Sequence, residues 1–154
     1  MNRFLSLIIA SITLFFSSCE KFELSPTDEE YMTCKIDGNR WRSDGSGLSL
    51  DWTSEFLTIS GYNDDGSNGI IISVYEKNIK SGTYPLNGKN IAWYDDLDVS
   101  TRHGWKADSV HTGSITIKVD DANRKVSGTF SFKAKYDEKD DVVDVTQGSF
   151  FMKK

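Results

Sequence analysis

From residue 31 onward the sequence alternates apolar and polar side chains with a period of two, and no segment keeps a 3.6-residue period. This alternation is the pattern of half-buried β-strands, whose successive side chains point to opposite faces of a sheet. Clusters of Asp, Asn and Gly interrupt it, as at Asp37-Gly38-Asn39 and Asn87-Gly88, and such clusters are typical of tight turns. The predicted fold is all-β: a single antiparallel meander of about eight strands, forming either a β-sandwich or a flattened β-barrel.

The first predicted hairpin indicates which side chains face the core. Met32, Cys34 and Ile36 share one face of a strand that ends at the turn signal Asp37-Gly38-Asn39. A two-residue turn within this signal brings the odd-numbered positions after it onto the face of the even-numbered positions before it. Trp41 is therefore expected on the same face as Cys34. This places Cys34 in the core as a small apolar side chain, in preference to an exposed reactive thiol.

A second hairpin is predicted near the end of the chain, around the turn at residues 121–124. If Asp120 pairs with Lys125, then Ile115 faces Phe130, so that opposite charges pair outside and apolar groups pair inside. The same register places Ile117 opposite Gly128.

The last predicted strand, residues 142–152, needs an irregularity. Val145 and Phe150 are both expected to face the core, but they fall on opposite parities. One extra residue in the strand would bring them onto one face. A β-bulge is therefore predicted near Gln147-Gly148.

The N-terminus has the pattern of an exported protein. A short basic start with Arg3 precedes an apolar run at residues 4–16, which is typical of a signal peptide and too short for a transmembrane helix. The run ends in Phe16-Ser17-Ser18-Cys19. This tetrad resembles a lipobox, in which the cysteine is lipidated after cleavage, although Phe16 departs from the usual Leu. An ordinary secretory signal would end in an Ala-x-Ala-like site, and none precedes Cys19.

These features divide the chain into three predicted parts. Residues 1–18 form a lipoprotein signal peptide, residues 19–30 a lipidated cysteine with a flexible acidic leash, and residues 31–154 the all-β domain. The predicted location is the cell envelope, anchored through the N-terminal lipid to the outer membrane, on its periplasmic face or at the cell surface. The membrane is thus the first predicted partner.

The net charge limits the classes of partner that the chain is expected to bind, and the cysteine count limits the disulfides that it can form. After removal of residues 1–18 the chain has 17 basic and 23 acidic side chains, a net charge of −6. An acidic chain without basic patches is not expected to bind nucleic acid. If Cys19 is acylated, Cys34 has no second cysteine with which to form a disulfide.

No catalytic, metal-binding or cofactor-binding constellation is recognisable. The two histidines, His103 and His111, lie without the spacing of a metal site, and the nearby Ser100 and Ser109 lack the context of a catalytic triad. The Asp-rich segments do not match a calcium loop and are interpreted as solvated turns. No catalytic residue, metal or cofactor is therefore predicted.

The best functional candidate is the stretch from residue 95 to residue 111, which shows no clear periodicity and is long for a loop in a compact β domain. Aromatic rings beside polar groups can stack on sugars or fill a partner's pocket. The alternative is that the two tryptophans close one end of the core. The candidate binding residues are Trp93, Tyr94, Arg102, His103 and Trp105.

The order of several strand-and-turn motifs resembles a known family. The motifs are Ile36-Asp37-Gly38-Asn39-Arg40-Trp41, Lys80-Ser81-Gly82-Thr83-Tyr84-Pro85-Leu86, Thr112-Gly113-Ser114-Ile115-Thr116-Ile117, Val126-Ser127-Gly128-Thr129-Phe130-Ser131-Phe132 and Gln147-Gly148-Ser149-Phe150-Phe151. With them the chain is similar to uncharacterised lipoproteins of Bacteroidota that carry a domain of unknown function. The resemblance implies an all-β envelope domain and supplies no catalytic residues.

Three functions follow as expectations, in decreasing order of support. The first is a lipid-anchored, non-catalytic β domain that binds a ligand or protein partner, with glycans among the candidates. The second is a structural accessory subunit of an envelope assembly. The third and most remote is a hydrolase that uses His103 or His111.

Overall fold

The computed structural model describes residues 29–97, 103–136 and 139–154. Within these ranges the chain forms eleven β-strands and one short 3-10 turn, Gly45–Gly47. The strands are β1 Tyr31–Ile36, β2 Asn39–Asp44, β3 Leu48–Trp52, β4 Leu57–Tyr62, β5 Asn68–Val74, β6 Gly82–Leu86, β7 Ile91–Asp96, β8 His103–Lys106, β9 Gly113–Asp120, β10 Lys125–Tyr136 and β11 Val142–Lys153.

The strands form one antiparallel sheet, nearly closed into a barrel-like or sandwich-like shape. Its main order is β2-β1-β11-β10-β8-β7-β5-β4-β3, while β9 pairs with β10 and β6 pairs with β9. The sheet branches at β10, because Lys125–Phe132 pair with β9 and Lys135 and Tyr136 pair with β8. The all-β antiparallel prediction is confirmed. The strand order nevertheless departs from that of a simple meander of about eight strands, because β1 lies beside β11. Such long-range pairing leaves no local signal in the sequence.

The first hairpin has the predicted arrangement. Asp37 and Gly38 form its two-residue turn with φ values of 49° and 82°, as the type I′ geometry of tight hairpins requires. Cys34 pairs directly with Trp41, and both side chains are buried. The prediction that Cys34 belongs to the core is confirmed.

The second hairpin has the predicted register. Asp120 pairs with Lys125 and Ile115 pairs with Phe130. The pair of Ile117 with Gly128 also matches the expected alignment. The close packing at Gly128 explains its identity, because a Cβ there would overlap the carbonyl oxygen of Thr116.

The bulge in β11 is also confirmed. Phe130 pairs with Gly148 but Phe132 pairs with Val145, so β11 contains an extra residue relative to β10. Gln147 lies within the bulge at a φ of 52°. The ring of Phe130 lies over Gly148, where a Cβ would be 2.5 Å from Cδ2 of that ring.

The inner faces of the strands form one hydrophobic core. Its fully buried members include Leu57, Ile70 and Phe150, and burial of each such side chain stabilises the fold by about 1.5–3 kcal/mol. A hydrogen bond also links strands that are far apart in the sheet order, because Trp41 Nε1 on β2 donates to Asn68 Oδ1 on β5 at 2.7 Å. This contact connects β2 with β5.

Several predictions concern residues outside the described ranges. Residues 1–18, Cys19, most of the segment 19–30, and Arg102 all lie there. Among the residues that are described, no helix has the length and apolar character needed to cross a membrane.

Candidate functional site

The candidate binding stretch is more regular than its sequence indicates. Strand β7 continues to Asp96, and β8 occupies His103–Lys106 in the middle of the segment that was expected to be a loop. That expectation is therefore wrong for this part of the chain. A four-residue strand is too short to show a convincing period, and β8 is defined by its pairing with β7 and β10.

Three of the candidate residues come together on the inner face. Tyr94 pairs with Trp105 across β7 and β8, and Trp105 pairs with Tyr136 across β8 and β10. The ring centroids of Tyr94 and Trp105 are 5.3 Å apart, and those of Trp105 and Tyr136 are 5.6 Å apart. His103 completes the group with its ring 5.1 Å from Tyr136. We call these four residues the inner aromatic cluster.

The centre of the inner aromatic cluster is inaccessible to a large ligand. Trp105 is 8% exposed and Tyr94 is 9% exposed. Trp105 Nε1 is buried without a hydrogen-bond partner in the described part of the chain. The alternative considered from the sequence was that Trp93 and Trp105 together close one end of the core. It describes the position of Trp105 better than a role as a surface contact does, whereas Trp93 is only half-buried.

The electrostatics of this interior favour neutral groups. Burial raises the pKa of the Cys34 thiol to about 12. Burial also raises the pKa of Tyr94 to about 12, with smaller contributions from the negative charges of Asp96 and Asp37. Because a thiolate is needed for nucleophilic attack, burial of Cys34 disfavours its reactive form.

Trp93 lies on the opposite, outer face of the sheet. Its ring covers Gly104 on β8, where a Cβ would be 2.5 Å from Cζ2 of the indole. Tyr62 on β4 covers Gly69 on β5 in the same way, since a Cβ there would be 2.5 Å from the ring atom Cε1. Both aromatic side chains are half-buried. We call Tyr62 and Trp93 the outer aromatic pair.

The sheet register places the two rings on either side of one carboxylate. Tyr62 pairs with Gly69, Gly69 pairs with Asp95, and Asp95 pairs with Gly104. The two glycines are thus separated by β7 alone, a distance of about 10 Å at the usual strand spacing. Asp95 is only 2% exposed. The rings rather than this carboxylate therefore form the accessible surface.

The row of residues through Trp93 adds polar groups to that surface. Ile71 pairs with Trp93 on one side and with Ser60 on the other, while Lys106 pairs with Trp93 from β8. All of these side chains are half-buried. The outer face therefore has an apolar strip bordered by a hydroxyl and an ammonium group.

The second histidine belongs to a local turn. His111 Nδ1 lies 3.2 Å from both carboxylate oxygens of Asp108, and this carboxylate accepts the backbone N–H groups of Val110 and His111. The backbone hydrogen bonds from His111 and Val110 are the main reason that the pKa of Asp108 falls to about 2. The pair therefore closes the connection between β8 and β9.

The other places considered as binding sites have weaker structural support. In the described ranges, no three His, Cys, Asp or Glu side chains are grouped so that they could hold a metal ion. A shallow, open groove of about 490 Å³ is lined by Glu29, Glu30, Asp44, Gly45 and Lys153. Because it lacks aromatic or aliphatic walls, it has little of the enclosed apolar surface that ligand sites commonly use.

Sequence reasoning missed Tyr62 and Tyr136 because their neighbours depend on strand pairing. Tyr62 joins Trp93 through β5 and β7, and Tyr136 joins Trp105 through the end of β10. One available signal was the presence of Gly69 and Gly104 among strand-forming residues, because an interior glycine often marks a close approach.

Comparison with known proteins identifies the family of the chain. Residues 28–152 match the family model described as a domain of unknown function (DUF6252), and the chain therefore belongs to that family. The resemblance to a domain of unknown function is confirmed at this level. Neither the curated proteins nor the solved structures contain a significant match.

Proposed function

We propose that this member of the DUF6252 family is a lipid-anchored protein of the cell envelope whose all-β domain binds a ligand or protein partner without catalysis. In this proposal Cys19 carries the lipid and residues 19–30 are the leash between membrane and domain. The host is a Bacteroidota-type bacterium, and the lipid inserts into the outer membrane, at its periplasmic face or at the cell surface.

The observation that carries the anchoring proposal is the tetrad Phe16-Ser17-Ser18-Cys19 directly after a short apolar run. Stable anchoring needs more than one acyl chain, because each buried CH₂ contributes only about 0.8 kcal/mol. The modified N-terminal cysteine of bacterial lipoproteins carries several chains.

The outer aromatic pair supports binding, since it leaves two half-buried rings on the face of the sheet away from the core. The nucleophile candidates give less support to catalysis. Cys34 is buried with its pKa raised to about 12, and His111 is held against Asp108 in a turn. A hydrolase is consequently the weakest of the three candidate functions.

The anchor is tested by the intact mass of the protein extracted from membranes, compared between wild type, Cys19→Ala and Cys34→Ala. Loss of residues 1–18 together with added acyl mass is expected for wild type and for the matched control Cys34→Ala, but not for Cys19→Ala. A mature chain without acyl mass, or acyl mass that persists in Cys19→Ala, would contradict the proposal.

A structural accessory subunit is the second candidate, and the edges of the sheet favour it. β2 and β3 stand at the two ends of the main strand order, and the free backbone groups of an edge strand can pair with a strand of another protein. Cross-linking in intact cells separates the two candidates. A stable partner that cross-links to β2 or β3 would support the accessory role, whereas cross-links confined to the outer aromatic pair would support the binding role.

A further inference from the structure

We propose that the outer side of five neighbouring strands, β2, β1, β11, β10 and β8, docks on a membrane surface of anionic lipid headgroups. This proposal rests on the lipid anchor proposed above and specifies which side of the domain meets the membrane. We call the outward-pointing side chains of these five strands the basic face.

The first argument is the charge of the basic face. The five strands contain eight Lys and Arg residues and two Asp residues, a net charge of +6. Residues 19–154 as a whole have a net charge of −6, so the remainder of that chain has a net charge of −12. Each of the eight cationic residues is next in sequence to a buried residue, as Lys35 is to Cys34 and Lys106 is to Trp105. Because successive side chains of a strand point to opposite faces, the cationic groups point away from the core.

The second argument is that cationic residues are directly opposite one another at three places in the basic face. The three pairs are Lys35 with Arg40, Lys125 with Lys153, and Lys106 with Lys135. No two acidic residues are opposed in this way among the described strand pairs. Like charges directly opposite each other destabilise a sheet. An anionic surface laid against the basic face would relieve this repulsion.

Carboxylates neutralise only part of the basic face. Three ion pairs involve its cations: Arg42 with Asp44 at 2.8 Å, Lys133 with Asp144 at 4.0 Å and Lys135 with Asp140 at 2.7 Å. All three lie at the surface, where ion pairs contribute little to stability. Lys35 and Arg40 are in no ion pair with another described residue. The repulsion between these two side chains is therefore left for an external anion to relieve.

The third argument is the point at which the chain enters the domain. Tyr31 begins β1, the second strand of the basic face. Eleven residues lie between Cys19 and Tyr31, and they span no more than about 38 Å when fully extended. A lipid on Cys19 would hold the basic face within that distance of the membrane, where a weak second contact acts at high effective concentration.

The membrane fits the basic face better than a soluble acidic polymer does, because the proposed anchor already brings it close. An acyl chain combined with a basic patch is a common way to obtain stable membrane binding. Each Lys or Arg near an anionic membrane surface strengthens binding about fivefold. The acidic remainder of the domain is repelled by the same surface, which favours one orientation.

The test compares the binding of full-length Cys19→Ala protein to two kinds of vesicle. One contains phosphatidylcholine alone, and the other contains equal parts of phosphatidylcholine and phosphatidylglycerol. Co-sedimentation at low ionic strength should show at least tenfold tighter binding to the anionic vesicles. This preference should weaken as salt is added, because salt screens the attraction.

Charge-reversal variants locate the contact, since all of them share the same N-terminal segment. Lys35→Glu and Lys106→Glu should each weaken binding to the anionic vesicles more than tenfold, because each removes a positive charge and adds a negative one. The matched control Lys77→Glu makes the same charge change at an exposed residue outside the five strands and should stay within threefold. Lys35→Glu should also raise the melting temperature, because it places opposite charges across from each other at Arg40.

Equal binding to the two kinds of vesicle would overturn the proposal. Equal weakening by Lys35→Glu and Lys77→Glu would also overturn it, since the contact would then lie elsewhere. Binding to the soluble polyanion alginate without binding to the anionic vesicles would overturn it as well, because the occupant would then be an acidic polymer.

These results are separable from the anchoring test. If wild type is acylated but the Cys19→Ala protein shows no preference for anionic vesicles, the basic face is overturned and the anchor stands. If the protein prefers anionic vesicles but is never acylated, the anchor is overturned and the docking of the basic face stands.

Discussion

Trp93 and Tyr94 are neighbours in the sequence, yet they lie on opposite faces of β7. Tyr94 joins Trp105 and Tyr136 in the inner aromatic cluster, in which rings pack against rings. Trp93 lies on the outer face above Gly104, where its ring packs against a strand backbone. Two adjacent aromatic residues thus have different roles because successive side chains of a strand point in opposite directions.

The inner and outer rings also differ in the groups that they contact. An inner ring touches other side chains that cannot move without opening the core. An outer ring instead lies over a glycine of the neighbouring strand, at Gly69 or Gly104. The inner arrangement therefore favours stability, whereas the outer rings are only half-buried.

The largest expected difference between the two faces is in stability. Trp105→Ala should reduce the free energy of unfolding by about 3–5 kcal/mol, because it opens a cavity in the core. Trp93→Ala should reduce it by only about 1 kcal/mol, because that ring is already partly hydrated. Chemical denaturation followed by circular dichroism measures both changes. Equal losses for the two variants would show that Trp93 is as much a part of the core as Trp105.

Two glycine-to-alanine substitutions, one on each face, test the same difference between the inner and outer faces of the sheet. Gly128 is on the inner face, where a Cβ would overlap the backbone oxygen of Thr116 and lie 2.8 Å from Cε1 of Phe150. At Gly104 a Cβ would be 2.5 Å from Cζ2 and 2.6 Å from Nε1 of the Trp93 indole, a side chain that is half-buried on the outer face. We expect Gly128→Ala to cost about 1–3 kcal/mol or more and Gly104→Ala clearly less.

Thermal unfolding of the two alanine variants, measured side by side, checks this expectation. If Gly104→Ala lowered the melting temperature as much as Gly128→Ala, the indole of Trp93 would be fixed rather than displaceable. The division between a rigid inner face and an adaptable outer face would then be wrong.

The remaining expected effect appears only in alkaline solution, where the inner face loses stability. The pKa of Cys34 is near 9 when unfolded and is raised to about 12 in the fold, and that of Tyr94 rises from 10.0 to about 12. The unfolded chain releases these protons first, so the stabilisation is complete below about pH 9 and is lost as pH rises toward 12. The slope for each group is at most about 1.4 kcal/mol per pH unit.

Denaturation curves between pH 8 and about 11 measure this loss, with Cys34→Ala as the comparison. The variant should lose stability less steeply than wild type above pH 9, since one of the two groups is absent. Parallel curves for the two proteins would indicate that the thiol is not buried as described.

The parts of the fold that the sequence predicted best depend on local pattern. The Asp37-Gly38 turn, the pairing of Asp120 with Lys125 and the bulge at Gln147-Gly148 each follow from turn chemistry and parity. The pairing of β1 with β11 depends on residues more than a hundred positions apart. No local pattern encodes such a pairing, which is why the meander prediction was too simple.

The candidate site was predicted in part for the same reason. The aromatic residues of β7 and β8 could be recognised from their concentration in one segment, but their division between two faces could not, because β8 is too short to show a period. Tyr62 joins Trp93 only through the register of β4, β5 and β7.

The central claim, that β7 separates a buried aromatic core from an accessible aromatic surface, is tested most directly by hydroxyl-radical footprinting of the full-length protein. Mass spectrometry of the peptides gives the oxidation rate of each tryptophan, with half-buried Trp52 and buried Trp41 as internal references. We predict that Trp93 is oxidised several-fold faster than Trp105. Oxidation of Trp105 at the rate of Trp93 would contradict the account.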